Sequence, residues 1–359
     1  MNAKQEAKEV ERLADIYEEE AKIGDHVDDG LSFEAFTTRW LKEHGEKNLE
    51  RKTLSSYKAE LESKILPALG KIKLRDLKRM HFIQFYGQLT EDGARADGKP
   101  GGYSTRTIKY QHQIINSILQ TAVYWQVLNE NPARSVKPPK GYAQSKKVNF
   151  FDSYQLNAFL DYIDENCDLL YRAFACTAVY SGMRLAELLA LQWADVNFNS
   201  HSISINKALT YVDNEQYIKP TTKNAESSAI IPISAEVITL LAELKRETKG
   251  VLTDRIFNFH YTTPLHWIHK QIRRYNETHA DKLPDISFHG LRHTAATLLI
   301  AAGADIRHVA AQLRHAAVST TLDMYAGVIP AVQREAVNNF AAYVKGSKKR
   351  GQSNTADPE

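Results

Sequence analysis

Cysteine and long apolar runs are both scarce in this chain. Only two cysteines, Cys167 and Cys176, occur among its 359 residues, and both lie in apolar helical patterns. Two such residues make neither a disulfide framework nor a zinc-ribbon spacing. No apolar run reaches the roughly 20 residues of a membrane-spanning helix, and the opening MNAKQEAKEVERL lacks the apolar stretch of a secretory signal. These absences predict a cytoplasmic protein without a membrane segment.

Net charge is also small, but it is unevenly distributed along the chain. The formal charge is +3, which permits nucleic-acid binding without requiring it. Residues 1–30 carry roughly six net negative charges, so the remainder is distinctly basic. We therefore expect residues 1–30 to form an acidic lead-in helix that does not grip DNA.

The first half of the chain has the periodicity of helices. Over residues 31–133 apolar side chains recur at helical spacing, interrupted by the Gly-rich stretch DGARADGKPGGYS, which predicts a loop. Ser104 or Thr105 can then cap a helix whose isoleucines face inward. The Pro- and Lys-rich segment RSVKPPKGYAQSKK, residues 134–147, has no periodicity and favours an interdomain linker. The pattern therefore predicts a helical domain followed by a linker.

The second half combines helical periodicity with one alternating segment. Helical patterns begin at the predicted N-cap Asp152 and are interrupted at Gly182. Between residues 201 and 233 apolar and polar side chains alternate, which predicts a small antiparallel sheet. Helical patterns then resume. We predict a second, mostly helical domain over 148–345 and a disordered polar tail over 346–359.

The segment SFHGLRHTAATLL is the most informative one in the chain. Ser287 can cap a helix, and the spacing of His289 and Arg292 places both on one face. Taken alone, such a pair is typical of an ordinary surface contact. Downstream come His315 and the segment TTLDMYA, whose capping-box spacing predicts that Tyr325 lies on or just beyond a short helix. Two histidines, an arginine and a tyrosine therefore follow one another in order.

These motifs resemble those of the tyrosine recombinase family. The chain reads SGMRLAELLALQW around Arg184, HGLRHT from His289, LRH at His315 and TTLDMYA around Tyr325. Upstream, residues 31–133 close with NPA and are similar to the core-binding domain of phage-type integrases. The resemblance implies a mainly α fold. A helical core-binding domain would precede a mixed, mostly helical catalytic domain with a small antiparallel sheet.

The resemblance also assigns roles in DNA strand exchange. Tyr325 would attack phosphorus and form a 3′-phosphotyrosyl bond that stores the energy of the broken bond, so that no nucleotide cofactor is required. Arg184 and Arg292 would hold the charged phosphate oxygens. His289 would act as general base and His315 would donate a hydrogen bond to the phosphate.

A lysine on a β-hairpin usually supplies the general acid in this family. Lys223 lies at the family's usual distance from the following strand, whereas Lys219 lies earlier, and either could be an ordinary exposed lysine. Glu187 is expected to orient its neighbours, although Arg184 could equally be a helix-start arginine that only pairs with it. We expect His293 to be structural.

DNA contacts are predicted on the helix that begins near Ser104. Arg106 and Lys109 project away from its isoleucine face and are candidates for phosphate contacts, or else ordinary solvated side chains. The resemblance implies double-stranded DNA attachment sites and a homotetramer on DNA as partners, in a bacterial cytoplasm and on the nucleoid when bound. It leaves open an excisionase and a DNA-bending host protein. No cofactor or metal is implied.

Two positions depart from the family pattern. Arg314 stands where Gly usually precedes the third-block histidine, and Gly327 stands where His is frequent. Neither position supplies chemistry, although Arg314 could change the packing of its turn or contact a phosphate. Many phage integrases also begin with a small arm-type DNA-binding domain, of which only the trailing helix is expected here. Binding at distant arm sites is therefore in doubt.

There are four kinds of alternative to an integrase. His289, His293 and His315 could bind zinc, but no HExxH motif is present and Arg292 would repel a cation. A serine hydrolase lacks its G-x-S-x-G elbow here. A resolvase, a chromosome-dimer recombinase or a type IB topoisomerase would share the tyrosine chemistry. A catalytically idle DNA-binding regulator of a mobile element would not need Tyr325.

Overall fold

A computed structural model describes residues 30–141, 149–220 and 229–314, together with Val318. The chain divides into two compact units, Met1–Lys146 and Lys147–Glu359. In the part of the chain that the structure describes, no helix has the length and apolar character needed to span a membrane. The predicted lead-in helix and the predicted C-terminal tail lie outside the described residues, and the predicted domain limits stay predictions.

Helices are the regular elements of the N-terminal unit in its described part. Its helices are α1 (Phe33–Trp40), α2 (Glu46–Asn48), α3 (Arg51–Glu60), α4 (Leu66–Leu69), α5 (Arg79–Thr90) and α6 (Thr105–Tyr124). Turns of π-helix at Leu41–Gly45 and Leu61–Ile65 join α1 to α2 and α3 to α4, and a 3₁₀ turn lies at Leu74–Asp76. The linker residues that are described, 134–141, form no helix or strand.

Helix α6 is the longest of the elements described in this unit and carries much of its core. The Ser104 side chain accepts a hydrogen bond from the Thr107 amide, which confirms the predicted cap. The isoleucines of α6 are buried among aromatic side chains of α1 and α5. Trp40 donates its indole N–H to Thr121 Oγ1 at 2.9 Å, so the one polar atom of that buried ring is satisfied. The predicted inward face is therefore the core of the unit.

The C-terminal unit surrounds a second hydrophobic core. The helices in its described residues are α7 (Ser153–Asn166), α8 (Leu169–Ser181), α9 (Leu185–Leu188), α10 (Ala235–Thr248), α11 (Thr263–Thr278), α12 (Phe288–Ala301) and α13 (Ile306–Leu313), with a 3₁₀ turn at Trp193–Asp195. The central helix α8 packs against α7, α10 and α12. Asp152 caps α7 by accepting from the Gln155 amide, as predicted.

The alternating segment forms two antiparallel sheets rather than one. Strands β1 (Val196–Asn197), β2 (Ser202–Ile205) and β5 (Ala229–Pro232) make the first, and β3 (Lys207–Val212) and β4 (Glu215–Pro220) make the second. Asp213 and Asn214 both have positive φ, 51° and 62°, so they close β3 and β4 as a tight two-residue hairpin. The hairpin pairs with itself, and β5 returns to β2.

Three chain segments of this unit meet where the predicted catalytic motifs lie: the turn from α8 into α9, the helix α12 and the end of α13. Ser287 occupies the N-cap position of α12 as predicted, but its side chain makes no capping hydrogen bond. Its backbone carbonyl accepts from the Gly290 amide at 2.7 Å instead, so that amide already has a partner. Backbone geometry therefore begins α12 without help from the hydroxyl.

Candidate active site

Arg184 lies at the N-cap of α9 and is fixed by Glu187. Its backbone N–H donates to Glu187 Oε2 at 2.8 Å, and its Nη1 donates to Glu187 Oε1 at 2.9 Å. The Glu187 side chain is 8% exposed, whereas that of Arg184 is 46% exposed. The predicted pairing is thus present, and it leaves much of the guanidinium open to solvent. An arginine held in this way can offer further N–H donors to an anion.

Arg292, one turn into α12, is buried and links the three segments. Its Nη1 donates to the Gly182 carbonyl at 2.6 Å, and its Nη2 donates to the Leu313 carbonyl. The first acceptor ends α8 and the second ends α13. Burying a charged group is costly unless it is hydrogen-bonded. These carbonyls supply that compensation and fix the guanidinium in place.

Gly182 must be glycine for two reasons. Its φ is +60°, in the left-handed region that side chains disfavour. A Cβ placed there would lie 2.5 Å from Leu313 Cδ2, closer than two carbon atoms can approach. The break predicted at this residue is therefore also the point at which α8 meets the end of α13.

His289 and His293 lie one turn apart on α12. Their rings meet edge to face, with centroids 4.8 Å apart. Partial burial lowers the pKa of His289, and the charges of Arg292 and Arg184 lower it further. Burial, followed by His289 and Arg292, lowers the pKa of the buried His293 to about 4. Both rings are therefore neutral near pH 7, and His289 can accept a proton.

The network contains one group whose contribution the sequence did not predict. Arg314, at the C-cap of α13, forms an ion pair with Glu187 Oε2, and its side chain is only 4% exposed. Burial would raise the pKa of the Glu187 carboxyl, but Arg314 and then Arg184 outweigh burial and lower it. The signal available in the sequence was an arginine at a helix end where glycine is usual. Of the two possibilities that the sequence left open for Arg314, its buried side chain favours a role in the packing of the turn over a contact with a phosphate.

The structure locates only some of the other predicted site residues. Lys223, His315 and Tyr325 lie outside the described residues. Lys219 is on β4, paired with Ala208 of β3, and is half-buried. Arg184, Glu187, Arg292, His289 and His293 are the predicted residues that the described structure brings together. Within the described ranges, no three histidine, cysteine or acidic side chains are grouped as they would be around a metal ion.

Two family models match this chain in the same order as its units. Residues 32–90 match the phage integrase N-terminal SAM-like domain, and residues 149–330 match the phage integrase family. The chain belongs to the phage integrase family. This confirms the family predicted from the late motif block, and it makes the protein an enzyme of the tyrosine recombinase class.

Two relatives of this chain carry the name integrase. The ICEBs1 integrase of Bacillus subtilis is 28% identical over 243 residues, which cover 65% of this chain and 65% of that protein. The integrase of Staphylococcus phage L54a is 24% identical over 332 residues, covering 85% of this chain and 91% of that one. The match therefore spans just under two thirds of the first relative and nearly all of the second.

Solved structures share the fold of this integrase. The Tn1549 transposon integrase in complex with transposon right end DNA has a TM-score of 0.70 and 19% identity, covering 87% of this chain and 100% of that one. A lambda integrase tetramer bound to a Holliday junction has a TM-score of 0.57 and 16% identity, covering 82% and 78%. These likenesses confirm the predicted, mostly helical fold.

Proposed function

We propose that this integrase cuts and rejoins DNA at specific sites through a 3′-phosphotyrosyl intermediate formed by Tyr325. The observation that carries the proposal is the convergence of two arginines on one turn. Arg292 donates to the Leu313 carbonyl, and Arg184 donates to the next carbonyl, that of Arg314, at 3.3 Å. Two guanidiniums held at neighbouring carbonyls form a fixed cationic site of the kind that stabilises a phosphoryl transition state.

The neutral His289 ring supports a role as general base beside these cations. A phenol has a pKa near 10, so Tyr325 needs a proton acceptor before its oxygen can attack phosphorus. The lowered pKa of His289 keeps its lone pair available. The attacking oxygen forms a bond to phosphorus, and the bond to the 5′-oxygen breaks. Lys223 gives its proton to that leaving oxygen, while His315 donates a hydrogen bond to the phosphate.

The substrate we propose is a pair of duplex attachment sites, bound by four copies of the chain in the bacterial cytoplasm. Contacts from Arg106 and Lys109 to phosphates would add to binding without reading sequence. An excisionase and a DNA-bending protein of the host are accessory partners consistent with an integrase of a mobile element.

The test is covalent trapping on DNA. A duplex is first enriched from a randomised pool by binding to the full chain, and a single nick is then placed at successive positions along it. Wild-type protein is expected to form a denaturant-stable adduct at one nick position, because the cut strand diffuses away before it can be rejoined. Tyr325→Phe removes only the attacking oxygen, so it should bind the duplex normally and form no adduct. An adduct in the Phe variant would disprove the assignment of the nucleophile.

A further inference from the structure

The backbone of Arg314 adopts an unusual conformation. It ends α13 with φ 55° and ψ 50°, in the left-handed region, where glycine is the common residue. A side chain in that region raises the free energy of the folded state, and such a residue persists when its surroundings favour it. The contacts of the Arg314 side chain must therefore offset the cost of this backbone conformation.

The side chain of Arg314 turns back into the protein. Its Nη2 pairs with Glu187 Oε2, and its Nη1 donates to the Gln312 carbonyl at 3.2 Å. Its Nε is buried with no hydrogen-bond partner among the described residues. A guanidinium with an unsatisfied N–H is an expensive group to bury for packing alone. The ion pair with Glu187 is the contact that compensates for it.

Glu187 is shared between two arginines. Oε1 accepts from the Arg184 side chain, and Oε2 accepts from the Arg184 amide and from Arg314. The Arg314 carbonyl in turn accepts from Arg184 Nη2 at 3.3 Å. Arg184 therefore contacts both the carboxylate that pairs with the Arg314 side chain and the Arg314 backbone.

We propose that Arg314 is a positioning residue for strand cleavage: it holds Glu187 in place and, through Glu187, the phosphate-facing Arg184. The inference rests on the proposed function. Two cations sharing one carboxylate leave a net positive charge in the trio. Without Arg314, Glu187 would neutralise Arg184 alone and would be held only by its two contacts with Arg184. Arg184 would then be both less positive and less well placed toward the phosphate.

The variants separate charge from backbone. Arg314→Met keeps an apolar stem in the same strained backbone but removes the charge, and Arg314→Lys restores a charge. Arg314→Gly removes the side chain while relaxing the positive φ, so it remains informative if the Met variant folds poorly. Arg246→Met removes an exposed arginine from α10, a helix that supplies no residue of the network, and serves as the matched control.

The measurement is the rate of adduct formation on the nicked duplex at saturating DNA, with DNA affinity measured separately. We expect Arg314→Met and Arg314→Gly to cleave about tenfold to a hundredfold more slowly, with affinity within roughly twofold of wild type. Arg314→Lys should recover part of the rate, and Arg246→Met should match wild type. In a Glu187→Gln background, Arg314→Met should slow cleavage little further, because the carboxylate on which Arg314 acts is already lost.

Each outcome decides the proposal. The proposal would be overturned if Arg314→Met or Arg314→Gly cleaved DNA at the wild-type rate. It would also be overturned if Arg314→Met slowed cleavage by the same factor in the Glu187→Gln background as in wild type. A parallel fall in thermal stability, affinity and cleavage in Arg314→Met, cured by Arg314→Gly, would assign the side chain a purely structural role. If wild-type protein forms no adduct at any nick position, the proposed function fails first and this inference fails with it.

Discussion

Helix α6 and the meeting point of α9, α12 and α13 use arginine in opposite ways. Arg106 and Lys109 on α6 are exposed side chains on the face opposite a buried isoleucine stripe. The side chains of Arg292 and Arg314 are buried. Arg292 donates to the Gly182 carbonyl of another turn, whereas Arg314 donates to the Gln312 carbonyl of its own turn. Exposed charges act nearly independently and are screened by salt. Buried charges depend on one another, so removing one disturbs the rest.

This difference predicts that substitutions near the cationic site change chemistry, while substitutions on α6 change only affinity. It also predicts that backbone geometry matters more in the C-terminal unit, where turns supply the acceptors. Four experiments test the comparison.

The largest effect is expected for the general acid. Lys223→Ala should slow cleavage of ordinary DNA by about 10² to 10⁴, because the departing 5′-oxygen then leaves without a proton. Sulfur in the 5′-bridging position leaves without needing one, so a phosphorothiolate duplex should be cut at nearly the wild-type rate. Lys219→Ala is the matched control and should be mildly affected on both substrates. Failure of sulfur to rescue Lys223→Ala, or rescue of a crippled Lys219→Ala, would show that the assignment is wrong.

The proposed general base, His289, should determine how cleavage depends on pH. His289 must be neutral to accept the Tyr325 proton, and partial burial together with Arg292 and Arg184 lowers its pKa, with the neutral His293 beside it. Wild-type cleavage should therefore persist as pH falls below about 6.5, the usual histidine value, and decline only at lower pH. His289→Gln should cleave about a hundredfold more slowly and lose that decline. An acid limb at the same pH in the Gln variant would assign the titration to another group.

A smaller effect, on stability, should distinguish two glycines of the C-terminal unit. Gly182→Ala combines a left-handed φ with a contact to Leu313, so we expect about 2 to 4 kcal/mol of destabilisation. Gly303 also has a positive φ, +87°, but among the described residues no heavy atom beyond its chain neighbours lies within 4 Å of the position that an alanine methyl group would take there. Gly303→Ala should therefore cost about 1 to 2 kcal/mol. Equal losses of unfolding free energy in denaturant titrations would mean that the turn at Gly182 can move away from α13.

The smallest effect is expected on α6. Replacing Arg106 and Lys109 together by Ala should weaken binding to every duplex sequence alike, and should flatten the log-log salt dependence by roughly one to two. Once the DNA is saturating, the cleavage rate should be unchanged. Binding isotherms at several salt concentrations measure the slope. An unaltered slope would mean that both residues are ordinary solvated surface charges that do not contact DNA.

Local patterns in the sequence predicted much of this structure. Ser104 and Asp152 cap the helices predicted for them, because an N-cap depends only on the residues of one turn. The spacing of His289 and Arg292 placed them on one helix by the same local logic. Ser287 shows the limit of such reasoning. Its hydroxyl makes no capping hydrogen bond, and its backbone carbonyl accepts from the Gly290 amide instead. One sheet was predicted from the alternating segment, but the structure has two. Which strands pair depends on contacts between segments that are distant in the sequence, and alternation within one segment does not reveal it.

By itself, the sequence determined the order of the motifs, the helical character of both units and the family, since each depends on residue types at short spacing. Tertiary structure alone decided which charges share a partner. Glu187 and Arg314 are 127 residues apart, and their ion pair exists because α13 ends against the turn between α8 and α9. Whether a guanidinium faces solvent or is buried with a carboxylate depends on how helices pack, and no local pattern carries that information.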